Sequence, residues 1–523
     1  MNFDPNELSK KGLTFLQQGR FIEAAEIFDK LILYFPKNHE LYNIIGFVNL
    51  ELKKYDLSIN AYNKSLTINQ NQPEAFFNRA LANSEKKYLT NALSDYQKVI
   101  EMQPGNINAY INIGTLYEDI GRLDEALDIA TKAYKIDSAN IKILANRANL
   151  YQKLFLNNRA LDDLNSALNI EPNNIDLIIN HANVLKGLHK FQLAKKSYQK
   201  AISINPKSAN AHFHYGLLLL LEKNFDLGWQ EYEYRWNLEK YNKPEYKKRI
   251  TEYKKDIKNG SLLIWGEQGI GDQIFFVSLI KSLPKTLDIT ITTDKKLINF
   301  LSGNFDNVKF ISYTQISSLS FDYQISFFKL GSLFISSKNI YKNISLLSAK
   351  TENVIAAKFF IKKLKKVICG VSWRTNNIIN GYARSVSLLD LLPVFSKEHI
   401  SFIDLQYGDT NQEKKDLNKK YGIKINTNKK IDNFNDIDGL AGLIESCDYV
   451  ITIDNTVAHL CGALGKKTYL LLPYGVGNIW YWHDDITSLR YPTVKIFRQS
   501  EPGNWLSPIK EISDAIDNLT LNK

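Results

Sequence analysis

The sequence predicts an α part followed by an α/β part: stacked helical hairpins, then two doubly wound parallel-sheet halves. Three observations lead there. Small residues recur every 34 positions through the first half of the chain. From Ser261 onward, short β-branched runs alternate with helical stretches, as crossover helices between parallel strands require. Between Tyr449 and Leu472 a strand, a capped helix and a second strand follow one another as one βαβ unit.

Composition bounds the rest. At 523 residues the chain is long enough for several domains, and 23% charged with 44% hydrophobic residues is the balance of a soluble globular protein. Residues 1–10 have no apolar core of a secretory leader, and the longest apolar run, residues 217–221, is far too short to span a bilayer. Cys369, Cys447 and Cys461 sit in strand or helix patterns without metal-ligand spacing, so they read as buried thiols in a reducing, cytoplasmic compartment. The net charge of +11 comes from lysine spread along the whole chain rather than from a nucleic-acid module, so no nucleic acid is expected as a partner.

The first region, residues 1–238, should hold about seven helix pairs. One column of the 34-residue repeat reads Gly12, Gly46, Ala80, Gly114, Ala148, Ala182, Gly216, and another reads Ala24, Ser58, Ala92, Ala126, Ala160, Ala194, Gly228. Close helix crossings need small residues, and prolines at 36, 104, 172 and 206 fit where second helices have ended. This is the tetratricopeptide pattern, a right-handed superhelix whose concave face suits an extended protein segment. The same array would also serve as a dimerisation or spacing scaffold, so a homo-oligomer stays open. In the seventh pair Trp229, Tyr232, Tyr234 and Trp236 replace the ordinary second helix, which predicts docking onto the next domain.

Residues 239–259 are basic, without a sustained apolar face, and read as a linker. Residues 260–362 form the first Rossmann-like half. Its strand at 261–265 runs into Gly266, Glu267, Gly269 and Gly271, a tight turn open to an acceptor, and then a helix through about residue 283. Asp272 stands at the mouth of that turn, either capping the helix or taking a hydroxyl proton. Residues 363–523 form the second half. Its strand at 366–373 ends in Trp373 and Arg374, followed by a polar loop holding Arg384, a helix at 388–395, and a strand ending near Gln406. Arginines here either neutralise a diphosphate or stay solvated, and Gln406 either bonds a base or sugar or closes a turn.

The strand at 449–453 then leads to Asp454, Asn455 and Thr456, which cap a helix carrying His459 in its first turn; Gly465 suits the position just past its end. Free N–H groups, a hydroxyl and an imidazole at the carboxyl end of a parallel strand can hold a diphosphate without metal, or form an ordinary capped helix with a packed histidine. The carboxylate pairs Asp436/Asp438 and Asp484/Asp485 follow no suitable strand, so no metal and no cofactor is assigned.

Residues 266–272, Trp373, Arg384-Ser385, Leu405-Gln406, residues 454–459, and residues 497–499 with Trp505 resemble bacterial proteins in which tetratricopeptide repeats are fused to a GT-B glycosyltransferase. The α/β part is similar to the ADP-heptose:lipopolysaccharide heptosyltransferase family, and the whole arrangement resembles the O-linked N-acetylglucosamine transferases. The resemblance implies a GT-B pair and a metal-independent, inverting transfer of a hexosyl, heptosyl or N-acetylhexosaminyl group. The donor would be a nucleotide-diphosphate sugar and the acceptor a protein or glycan recruited by the repeats. It implies Asp272 as the base, Arg384 facing the donor phosphates, and Thr456 and His459 beside the diphosphate. The competing reading is an inactive repeat scaffold or nucleotide-sensing interaction module.

Overall fold

In a computed structural model the described residues are 4–239, 241, 250–267, 269–336, 347–364, 366–377, 381–475 and 477–521. The chain forms two compact units, residues 1–184 and 185–523, and the division falls within the Ile175–Gly187 helix.

Fourteen helices from Pro5–Gln17 to Phe225–Tyr232 build the seven expected pairs. The small-residue column has a physical cause visible in the first two pairs. A Cβ on Gly12 would lie 2.8 Å from the Phe28 ring, and one on Gly46 would lie 2.7 Å from the Tyr62 ring. The residue sixteen positions on thus presses against the bare backbone of the first helix. The pairs also share a polar device: Arg79–Asp95 and Arg147–Asp163 stand at the same repeat positions, and the second is buried and bidentate at 2.6 and 2.7 Å. First helices begin on an asparagine cap at Asn38, Asn106 and Asn140.

Among the described residues the α/β part contains two sheets whose strands all pair in parallel, with one isolated antiparallel bridge from Thr487 to Lys495. The first has the order β1–β5–β2–β3–β4, from β1 (Thr251–Glu252), β2 (Gly260–Trp265), β3 (Leu287–Thr293), β4 (Val308–Ser312) and β5 (Tyr323–Ser326). The second has the order β11–β10–β9–β6–β7–β8, from β6 (Val367–Ser372), β7 (Ile400–Asp404), β8 (Ile425–Asn426), β9 (Tyr449–Ile453), β10 (Thr468–Leu472) and β11 (Val494–Arg498). β9 and β10 are buried at every residue, which is why they read as continuous apolar runs.

Three expectations change. Residues 240 and 242–249 of the linker lie outside the described residues, but its end is not a connector: β1 pairs with β5 and Tyr253 is buried. The helix expected at 388–395 is only Leu392–Phe395, because Ser387 and Asp390 fold the preceding residues into a side-chain-bonded turn. β11 was not anticipated as a strand; two lysine-and-arginine-bearing positions break its apolar run, yet it pairs with β10 over five residues.

The aromatic seventh pair docks as expected, with one exception. Trp229 Nε1 donates to the Ile335 carbonyl at 3.1 Å, Tyr232 stacks on Phe328, and Trp236 lies 5.4 Å from Trp265. Tyr234 instead stacks back on His212 at 3.6 Å within its own pair.

Candidate functional site

Two strand-to-helix turns, one from each sheet, supply the expected residues. The first leaves β2 through Gly266 and Glu267 into the Ile270–Val277 helix. Gly266 is required by space, since a Cβ would lie 2.7 Å from the Tyr313 hydroxyl. Glu267, read from the sequence as part of an acceptor loop, is buried and internally bonded. The fully buried Arg235, just past the last repeat helix, grips it through Nε and Nη2 at 3.1 Å, and Phe328 N–H donates to Oε1 at 3.2 Å. Burial still pushes the Glu267 carboxyl upward against the pull of Arg235.

Asp272 occupies the first turn of that helix and is half-buried. Its Oδ2 accepts the Gly269 N–H at 3.1 Å, and its Oδ1 accepts a long 3.4 Å bond from the Tyr481 hydroxyl. Desolvation pushes its carboxyl up to about 7; the nearby negative charges of Asp454 and Glu267 act the same way, and the two hydrogen bonds oppose them. Asp272 therefore caps the helix, and its carboxyl holds a proton more tightly than an ordinary aspartate.

The second turn leaves β9. Asp454, 2% exposed, is held from two sides: Arg384 Nη1 lies 3.1 Å from Oδ2, and Trp482 Nε1 donates to Oδ1 at 2.9 Å. Asn455 is the cap of the Thr456–Ala463 helix, accepting Val457 N–H at 3.0 Å while its amide donates to the Ser372 hydroxyl at 2.8 Å. Thr456 is the first helical residue rather than the cap and stays partly exposed. Arg384 is 7% exposed, and its Nε is buried without a hydrogen-bond partner among the described residues.

His459 is buried where the two helices cross. A Cβ on Gly271 would lie 2.7 Å from His459 Cδ2, so Gly271 serves helix packing as well as the turn. Nδ1 is 3.3 Å from the Tyr491 hydroxyl, and the ring centroid is 5.1 Å from those of Tyr481 and Trp482. Desolvation pushes the imidazole down to about 4, with Arg384 and Arg490 adding to it against Asp454, so the ring is neutral at ordinary pH.

A continuous chain of contacts thus runs from Asp272 through Tyr481, His459 and Trp482 to Asp454 and Arg384. Gln406 and Trp373 stand apart from it. Gln406 Oε1 accepts from Ser372 Oγ, Trp373 N–H and Arg374 N–H, and its amide donates to the Arg374 and Tyr407 carbonyls, so it laces β6 to β7 with every group used. Trp373 is core, its Nε1 donating to Glu413 at 3.1 Å. Among the described residues no cluster of three or more His, Cys, Asp or Glu stands ready for a metal ion. Sequence reasoning missed Tyr481, Trp482 and Arg235. The signal for the first two was present as four consecutive aromatic-type residues, Trp480 to His483. Nothing local marked Arg235.

The tetratricopeptide repeat family matches residues 9–75 and 179–235, 73–106, and 95–128. Protein FlbA of Caulobacter vibrioides is 24% identical over 337 residues, 59% of this chain and 55% of that protein. The chain thus spans about half the length of that curated relative. Among solved structures, a tetratricopeptide repeat protein from Parabacteroides merdae is 18% identical, covering 46% of this chain and 94% of that one with a TM-score of 0.39. The C-terminal part of a repeat-containing protein from Cytophaga hutchinsonii is 18% identical, covering 45% and 96% with a TM-score of 0.40. No helix among the described residues is long and apolar enough to cross a membrane. The chain carries an N-terminal array of tetratricopeptide repeats, a protein-interaction architecture, followed by a region of parallel sheets.

Proposed function

We propose that the parallel-sheet region is a GT-B glycosyltransferase that moves a sugar from a nucleotide-diphosphate donor to a protein or glycan recruited by the repeats. The observation that carries this reading is Asp272: a half-buried carboxyl pushed up to about 7, linked through Tyr481, His459 and Trp482 to a second turn where Arg384, paired with Asp454, keeps a buried Nε–H without a partner among the described residues. The acceptor hydroxyl gives its proton to Asp272, and its oxygen attacks the anomeric carbon. The bond to the diphosphate breaks with its electron pair, and the anomeric centre inverts. Arg384, with its spare Nε, and the N–H groups at Thr456 receive the departing charge. His459 is neutral and walled in by rings, so its part is to fix the crossing of the two helices rather than to meet the phosphates.

A thermal-shift screen against UDP-, GDP-, ADP-, CMP- and dTDP-sugars tests the donor. One ligand at about 100 times its dissociation constant stabilises the native state by about 2.7 kcal/mol. A flat response to the whole panel would remove the enzyme. A second reading, an inactive docking or sensing module, is favoured by the internal saturation of Glu267 and Gln406. Donor binding without hydrolysis or transfer would select it.

A further inference from the structure

The fourth repeat departs from most of the others at one buried position. In five other pairs the position sixteen residues after the small residue of the first helix holds a large buried side chain, Phe28, Tyr62, Tyr96, Leu164 or Tyr198, each at most 1% exposed, while in the seventh Gly216 meets the backbone of Tyr232. In the fourth pair that position is Ala130, opposite Gly114. A Cβ built on Gly114 meets nothing nearer than the Ala126 carbonyl oxygen at 3.9 Å, whereas those on Gly12 and Gly46 meet rings below 3 Å.

The missing side chain leaves a cavity of about 50 Å³ between Gly114 and Ala130, open on one side. That is several times the roughly 10–15 Å³ one water needs. Tyr110, Ile111, Ile143 and Leu150 supply most of its apolar wall, and Glu118 lines it as well. Its mouth carries Thr115 and Asn146, both exposed, which can hydrogen-bond a peptide backbone.

We propose that this cavity is the anchor pocket of the array, receiving one bulky apolar side chain, a ring or a leucine, from an extended segment of a partner protein. Five of the other pairs show which shape stands at the same position: four rings and one leucine. A partner would place in trans what those pairs supply in cis, and burying one such anchor in a preformed slot is how interfaces concentrate affinity. The inference stands on the repeats alone and holds whether or not the α/β region transfers a sugar.

The test uses the full chain and N-acetyl amides of Phe, Tyr, Leu and Ala, with saturation-transfer NMR and thermal melts. The wild-type protein should bind the three bulky amides and not the alanine one. Ala130→Tyr installs the ring its neighbours carry: it should raise the melting temperature by a few degrees and weaken amide binding by about tenfold or more. Should Ala130→Tyr fail to fold, Gly114→Leu fills the space from the opposite wall and must give the same loss. Absent binding to the wild type, or binding unchanged in the filled variant, overturns the proposal.

Discussion

Asp272 and Asp454 stand at matching turns of the two sheets, yet their company is opposite. Asp454 is buried and paired, with a guanidinium at 3.1 Å and an indole N–H at 2.9 Å. Asp272 has one backbone N–H, one long hydroxyl contact and a neighbouring negative charge, and its carboxyl rises to about 7. The same residue type beside two strand-to-helix turns is held by a cation in one half and left with a raised proton affinity in the other. What separates them is which distant side chains arrive, since a partner cation favours ionisation while desolvation and like charge oppose it.

The largest effect that would sharpen this contrast is on turnover. Asp272→Asn should lower transfer about 10²–10⁴-fold, the usual worth of a positioned base, while leaving donor affinity intact by calorimetry. Near-normal turnover would break the contrast at its functional end. On stability the order reverses. Asp454→Asn strands Arg384 in a buried site and should cost about 3 kcal/mol in denaturant unfolding, whereas Asp272→Asn should not destabilise at neutral pH.

The pH profiles carry the next effects. Because the Asp272 pKa is raised above its unfolded value, its contribution is present while it stays protonated and is lost as pH climbs from about 4 toward about 7. Asp272→Asn should therefore flatten that part of the stability curve, while the wild-type rate should rise through about pH 7. His459 and His483 have the other sign. Both are pushed down to about 4, so the stability they lend is complete above about 6.5 and drains away as pH falls toward 4. His459→Gln should reduce the acid-side slope. The smallest effect is steric: Gly271→Ala presses a methyl against His459 and should cost about 1–3 kcal/mol, lowering the melting point with donor binding retained.

Much of this was legible without coordinates. The 34-residue columns located every helix pair because helix crossings repeat at short range, and β9, its capped helix and β10 followed from one apolar run, Asn455 and Gly465. Asp272, Asp454 and Arg384 were singled out from their turns, and the fold does bring them into one chain of contacts. Their roles were not readable there. Glu267 looked free until Arg235 reached it from 32 residues away, and Gln406 looked available until β6 and β7 used up its amide.

By itself, the sequence determined periodic and local matters: where the repeat helices and the central strands lie, which turns cap them, and that a repeat array precedes two parallel sheets. Only the tertiary structure decided which carboxylate is neutralised, that His459 is sealed between crossing helices, and that the fourth repeat lacks its plug. The reason is physical. Propensity and capping act within a few residues, but charge pairing, desolvation and void space depend on groups that meet only after the chain has folded.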